Sequence, residues 1–410
     1  MNTRVLPRRA AAVPAAAALV LCALPGVPGA AAAPPEPVGG PRLAETGTIV
    51  DAPAGFRAPP KIKAASWVIA DADNGQILAA KDPHGKYLPA STLKTLTALT
   101  LIPKLDPNRL VRPSQKACDV EGTKVGMTPS MQYKVHDLFN ALLMMSANDA
   151  AVTLAEANGG MARTIADMNA EARRINARDT LAASPNGLDV DLGLNVHTQH
   201  TSSYDLALIL REGMKNPDYR AYVRTLTAHF PAPPTKKQRK KGKKVGGYPI
   251  YTHNRMLPGQ PYAYQGMLGG KNGYTVAAEQ TFVAEARRGN HTILISLMKA
   301  DAPPSEYATK LLNWGFGAVG KVRPVGTLVA PGDAATKAAA AGHGANLPAA
   351  SLGSAETDRT WWLVGGGAVG VVAALAVLTA VLRRRRPLPS PAPVAAAAPP
   401  DPDRIPDETP

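Results

Sequence analysis

A chain of 410 residues, 45% hydrophobic and 19% charged, is too apolar for a disordered polyelectrolyte and long enough to bury a sizeable core. Its two cysteines exclude a disulfide framework. The net charge of +15 asks for an anionic partner or a solvated basic face, but not for nucleic acid, because the longest basic run has no interleaved aromatic platform.

In chain order, Arg4, Arg8 and Arg9 precede an Ala/Leu-rich run to Leu24 and the small residues Ala30 to Ala33 follow, so residues 1–33 read as a cleaved secretory signal. Cys22 leaves with it, and Cys118 reads as a small buried apolar residue without a partner. Residues 34–59 read as an N-terminal linker. Trp67 to Lys81 reads as two strands around the turn Asp73-Asn74-Gly75. Ser91 to Ile102 and Glu171 to Asn176 read as helical.

Farther on, Lys236, Lys237, Arg239, Lys240, Lys241, Lys243 and Lys244 stand between Pro231-Ala232-Pro233-Pro234 and Gly246-Gly247. Such a run reads as a solvated, mobile insertion loop, with attraction to anionic wall polymers or lipid headgroups as the functional alternative. A strand-like hairpin follows Lys271-Asn272-Gly273-Tyr274-Thr275, and Lys310 to Phe316 reads as the last helix of a unit covering residues 60–318. Residues 319–360, rich in Ala, Gly and Pro, read as a flexible tether.

Residues 361–382 are uncharged and apolar; at about 1.5 Å per residue they span about 33 Å, enough for the hydrocarbon core. They read as a single transmembrane helix. Trp361 and Trp362 suit the outer interface and Arg383 to Arg386 the inner one. The folded unit is therefore expected outside a cell membrane, with residues 383–410 as a cytoplasmic tail. Gly366 and Gly370 would permit a weak helix-mediated dimer, although a lone span is preferred.

The chemistry lies in three short motifs taken together: Ser91-Thr92-Leu93-Lys94, Ser146-Ala147-Asn148 and Lys271-Asn272-Gly273. A serine and a lysine three apart on a helix share one face, so the amine reaches the hydroxyl. The serine becomes a nucleophile only if that amine has lost its proton, and burial together with a second cation such as Lys271 lowers a lysine pKa. No metal site competes: His197 and His200 are the closest histidine pair, with no carboxylate or cysteine set around them. No cofactor is called for.

This ordered trio, with Tyr87-Leu88-Pro89-Ala90 before the first motif and Asp149-Ala150-Ala151 after the second, is a penicillin-recognising signature. The chain resembles the low-molecular-mass penicillin-binding proteins, specifically the serine D-alanyl-D-alanine carboxypeptidases, over roughly residues 60–318. Asn186-Gly187-Leu188 and Thr201 to Ala207 match the family's helical region between its second and third motifs. The resemblance implies an α+β fold, an antiparallel sheet flanked by helices plus a helical lobe. It also implies a peptidoglycan stem peptide as substrate and β-lactams as covalent inhibitors.

By that resemblance Ser91 is the nucleophile, Lys94 its base, and Ser146, hydrogen-bonded into the lysine network, relays a proton to the departing D-alanine. Asn148 would hold the peptide amide, and Lys271, Asn272, Gly273, Tyr274 and Thr275 would line the substrate, with Ser91 and Tyr274 N–H groups facing the oxyanion. Two departures stand out. Asn272 replaces a threonine, and Ala302-Pro303-Pro304-Ser305 lacks the arginine that relatives place there for the terminal carboxylate. The alternatives are a class A β-lactamase, for which the E-x-x-L-N loop is absent, and a catalytically weak or inactive wall-binding or β-lactam-sensing receptor, against which Ser91, Lys94, Ser146 and Asn148 argue.

Overall fold

The computed structural model describes residues 36–332. The expected signal, most of the tether, the span and the tail lie outside the described residues. Among those described, no helix is long and apolar enough to cross a membrane.

The chain forms β1 (Thr48–Val50), a hairpin of β2 (Ala64–Asp71) and β3 (Gln76–Lys81), and α1 (Lys94–Leu101). A short ladder of β4 (Leu110–Val111) and β5 (Tyr133–Lys134) brackets α2 (Gln115–Asp119), before α3 (Val135–Met144), α4 (Asn148–Ala157) and α5 (Met161–Arg174). Next come α6 (Ser203–Gly213), α7 (Pro217–Arg224), β6 (Thr227–Ala232), α8 (Lys236–Lys240) and β7 (Gly246–Tyr251). The chain then returns through β8 (Met267–Thr275), β9 (Glu279–Arg288), β10 (His291–Ala300), α9 (Pro304–Ala318) and β11 (Gly326–Thr327). The main sheet runs β1-β3-β2-β10-β9-β8, antiparallel throughout, and β11 shares the outer edge of β3 with β1.

Two cores meet at this sheet. Trp67 and Ile69 of β2 join Ile293, Ile295 and Leu297 of β10 against α9, whereas Val68, Ala70 and Leu294 belong to the core shared with α1 and α3 to α6. Strands covered on both faces lose the apolar–polar alternation, which is why Trp67-Val68-Ile69-Ala70 reads as an unbroken apolar run. Each fully buried Ile or Leu there stabilises the fold by about 1.5–3 kcal/mol. On the other side, α1 is buried all round, Lys94 included. An all-buried helix is a core element, so its one amine has to be neutral, hydrogen-bonded or both.

Three expectations need correction. Residues 34–59 are not merely a linker: Leu43 and Ile49 are 2% and 1% exposed, and β1 pairs with β3. Nor does the tether begin at residue 319. Val322, Val325 and Leu328 are buried, β11 pairs with β3, Thr327 N–H donates to Gly39 O at 2.9 Å, and Arg323 pairs with Asp51 at 3.0 Å. The two ends of the unit clasp each other, and their Pro/Gly/Ala composition hides this because the partners are far apart in sequence. Finally, the basic run is not a plain loop. It is the tip of the β6–β7 hairpin, where Thr235 and Gln238 form a capping box around α8.

Candidate active site

Ser91 lies in a 3-10 turn, Ala90–Leu93, that leads straight into α1. Its entry is strained: Ala90 has φ 47, a left-handed conformation costing a non-glycine residue about 1–2 kcal/mol. The turn is held from the sheet and from within. Thr281 Oγ1 on β9 donates to Pro89 O at 2.9 Å, and Thr92 Oγ1 donates to the same carbonyl at 2.5 Å. Two glycines let neighbouring backbone close in. A Cβ on Gly273 of β8 would stand 2.7 Å from Ser91 N, and one on Gly187, whose φ is +81, would stand 1.8 Å from Ala90 O.

Lys94 is 0% exposed. Its Nζ is hydrogen-bonded to Ser91 Oγ at 2.9 Å, Asn148 Oδ1 at 2.7 Å and Asn186 O at 2.7 Å. The Asn148 amide has a defined orientation, because its Nδ2 donates to Glu121 O at 2.7 Å. Two of the three partners of Nζ can therefore only accept. A neutral amine has two N–H bonds and one lone pair: the carbonyls take both N–H bonds, and the lone pair is left facing the serine hydroxyl. Burial, and then the charge of Lys271, hold the Lys94 pKa well below its ordinary value, with Asp149 opposing them.

Lys271, on β8, is 1% exposed, and burial lowers its pKa to about 7. Its Nζ donates to Asn272 O at 2.6 Å. The third motif lies within β8, ahead of the β9–β10 hairpin, and pairing with β9 (Lys271↔Val283, Gly273↔Thr281) carries it past the nucleophile turn.

The remaining expected residues divide. Asn148 is 3% exposed, and its side chain accepts from Lys94 Nζ and donates to Glu121 O, so within the protein it orients Lys94. Ser146, in the left-handed region at φ 66, is 6% exposed. Among the described residues its hydroxyl bonds neither lysine, contrary to expectation, because the three partners of Lys94 are supplied elsewhere and Lys271 turns to its own strand. Thr275 Oγ1 donates to Asp189 Oδ2 at 2.6 Å, tying β8 to the loop that contains Asn186 and Gly187. Tyr274 is 59% exposed beside the cleft. Asn272 lines a hollow of about 170 Å³ with His253, Arg255, Gln280 and Ser305.

The roles of three contributors escape a motif reading. The Asn186 carbonyl is a backbone atom and leaves no side-chain signal. Asp149, buried, accepts from Val125, Met127 and Ala150 N–H at 3.1, 3.2 and 3.0 Å, fastening residues 125–127 to the second motif. Arg255 sits on the segment after β7, anchored where His253 N–H donates to Met144 O at 2.7 Å. Desolvation, with the charges of Lys271 and Arg255, lowers the His253 pKa.

Fold and site together define a serine acyl-transfer enzyme of the penicillin-binding type. A family profile described as D-alanyl-D-alanine carboxypeptidase, peptidase S11, matches residues 54–302. The chain belongs to that family. It is 36% identical over 269 residues to the D-alanyl-D-alanine carboxypeptidase DacB2 of Mycobacterium tuberculosis, covering 64% of this chain and 86% of that protein. Against DacF of Bacillus subtilis it is 26% identical over 262 residues, 62% of each. A solved D-alanyl-D-alanine carboxypeptidase from Mycobacterium tuberculosis superposes with a TM-score of 0.59 at 34% identity, over 67% of this chain and 99% of that one. The Streptomyces K15 DD-transpeptidase shares the fold, with a TM-score of 0.56 at 23% identity, over 64% and 100% of the two chains.

Proposed function

We propose that this chain removes the terminal D-alanine from peptidoglycan stem peptides through an acyl-enzyme on Ser91, and that β-lactams acylate the same oxygen. The observation that carries this reading is that Lys94 Nζ lies 2.9 Å from Ser91 Oγ with two carbonyl acceptors as its other partners, which in the neutral amine leaves the lone pair to the serine. As Ser91 attacks the carbonyl of the penultimate D-alanine, its proton passes to Lys94. Charge builds on the carbonyl oxygen, where the Ser91 and Tyr274 N–H groups are the assigned donors. The proton must then reach the departing amine. Ser146 is the assigned bridge, its hydroxyl uncommitted to either lysine. Water attacks the ester, Lys94 again accepts the proton, and a peptide shorter by one residue leaves.

The terminal carboxylate is assigned to the hollow beside Asn272, where Arg255 supplies the guanidinium that Ala302 to Ser305 lacks. Asn272 offers an amide donor in place of a hydroxyl. We place the chemistry outside a cell membrane, with residues 361–382 as the anchor, on the strength of their uncharged run and the arginines behind it. Protease added to wall-stripped cells should remove the folded unit and leave the tail; release of the whole mature chain by high salt would overturn the anchor.

The activity is tested by incubating the detergent-solubilised full chain with a synthetic pentapeptide ending in D-Ala-D-Ala, beside a Ser91→Ala blank. Release of one D-alanine per peptide by the native chain alone is expected. Native turnover equal to the blank would refute it in favour of an inactive receptor.

A further inference from the structure

The β6–β7 hairpin presents seven cations, Lys236, Lys237, Arg239, Lys240, Lys241, Lys243 and Lys244, all exposed. Among the described residues none of them pairs with a carboxylate. The sequence offers no nearby partner, since the acid-free stretch from residue 219 to residue 278 surrounds them. Like charges crowded into residues 236–244 repel one another, a repulsion that physiological salt screens beyond about 8 Å. A bare cluster therefore costs free energy that only an outside anion recovers.

The arm is also built to hold still at its root. Phe230 is 1% exposed and stacks on Tyr133 at 5.4 Å between ring centroids, Ile250 is buried, and the capping box closes the tip. Tyr248 Oη donates to Val125 O. Val125 belongs to the segment fastened to Asp149, and Glu121 and Thr123 just before it accept from the Asn148 side chain and backbone N–H at 2.7 Å each. The root of the arm thus rests on the segment that positions Lys94, and the seven charges rise from the structure that frames the cleft.

We infer that this hairpin is a docking arm for the polyanionic wall strand that carries the substrate, holding the polymer while one of its peptide ends enters the cleft. The inference rests on the carboxypeptidase reading, and its occupant follows from that chemistry. Every substrate peptide ends in a carboxylate, and so does every product, so a strand bearing many of them is a polyanion before and after reaction. From residue 235 to residue 244 the tip has no apolar side chain, and the exposed Val245, Tyr248 and Tyr251 that follow it are single side chains rather than a patch able to enter a hydrocarbon layer, which favours a hydrated polymer over a membrane. A cation-lined approach raises the local concentration and on-rate of an anionic substrate by about 10- to 1,000-fold, an effect that salt removes.

The test uses the full chain in detergent with all seven cations changed to Gln, beside a second variant in which the six lysines become Arg. D-Alanine release is measured from insoluble wall polymer and from a soluble N-acylated D-Ala-D-Ala peptide. On the polymer at low salt the Gln variant should be slower by about tenfold or more, the Arg variant should match the native chain, and the gap should close near 1 M salt, where the screening length is about 3 Å. On the soluble peptide all three should be equal, which also shows that the Gln variant is folded. Equal rates on the polymer would overturn the arm. Should the native chain cleave neither substrate, the carboxypeptidase reading fails by itself, and the arm is then judged by co-sedimentation of the Ser91→Ala chain with walls. Loss of sedimentation in the Gln variant supports it; binding only to anionic lipid vesicles refutes it.

Discussion

Lysines meet opposite fates in two regions of this molecule. Around the nucleophile, Lys94 and Lys271 are 0% and 1% exposed, cut off from water and held by oxygen acceptors. On the β6–β7 arm, seven cations stand in solvent with no carboxylate partner among the described residues. The same side chain is a base in the first place and a point charge in the second. Desolvation decides which, because it disfavours the charged form. A cluster of lysines in a sequence is therefore not one feature but two, told apart by what covers them.

The largest expected effect comes from forcing the buried lysine to behave like an exposed one. Lys94→Arg keeps its charge at neutral pH and should cut acylation by penicillin about a thousandfold, within the range for loss of a general base. Stopped-flow or mass-spectrometric acylation rates decide, and a rate near native would remove Lys94 from the mechanism. In the native chain acylation should rise with pH through the depressed Lys94 value, since only the neutral amine accepts a proton.

The next effect tests the cause of that depression. Asn148→Asp would put a carboxylate at the position now 2.7 Å from Nζ, and a neighbouring negative charge favours the ammonium form. The rising limb of the pH–rate profile should move to higher pH by about one to three pH units, with a corresponding loss at neutral pH. An unmoved limb would mean that Asn148 does not set the state of Lys94. Recovery of rate at high pH separates this positioning role from simple misfolding.

Arg255 lies between the two regions, exposed yet lining the hollow beside Asn272. Arg255→Ala should lower kcat/KM by about tenfold for a peptide ending in a free carboxylate, the loss of one charge-assisted hydrogen bond worth about 1.5–3 kcal/mol less solvent screening. It should leave a C-terminal amide peptide unaffected. Equal losses on both peptides would place the carboxylate elsewhere.

The smallest effect concerns stability alone and reverses the sign of the buried charge. Glu285 on β9 is 8% exposed, and burial, then Asp73, raise its pKa to about 7, with Arg211, Arg220 and Arg287 opposing. A carboxyl raised in the folded state favours folding at low pH, and that contribution is lost as pH climbs from the unfolded value near 4.5 through about 7. Glu285→Gln should therefore be more stable than native at pH 8, by about 1–3 kcal/mol, with no gain at pH 4. Urea unfolding at the two pH values checks it, and an equal difference at both would show that the carboxyl does not titrate on folding.

Several features were legible in the linear chain because each is local. Ser91 and Lys94 share a helical turn, the Asp73-Asn74-Gly75 turn joins neighbouring strands, and the final helix shows its apolar face at Tyr307, Leu311 and Trp314. Such signals depend on residues a few positions apart, whose geometry is set by helix or strand periodicity alone. What decides the protonation state of Lys94 is different. Its two carbonyl acceptors come from positions 54 and 92 residues away, one of them a backbone atom with no residue-specific signature. The clasp of residues 36–51 with 322–329, the seat of Arg255 and the root of the basic arm on the Val125 segment have the same character. Burial and long-range hydrogen bonding exist only once the chain has closed on itself, so the identities of the reacting groups belonged to the sequence, and their charges, partners and exposure to the fold.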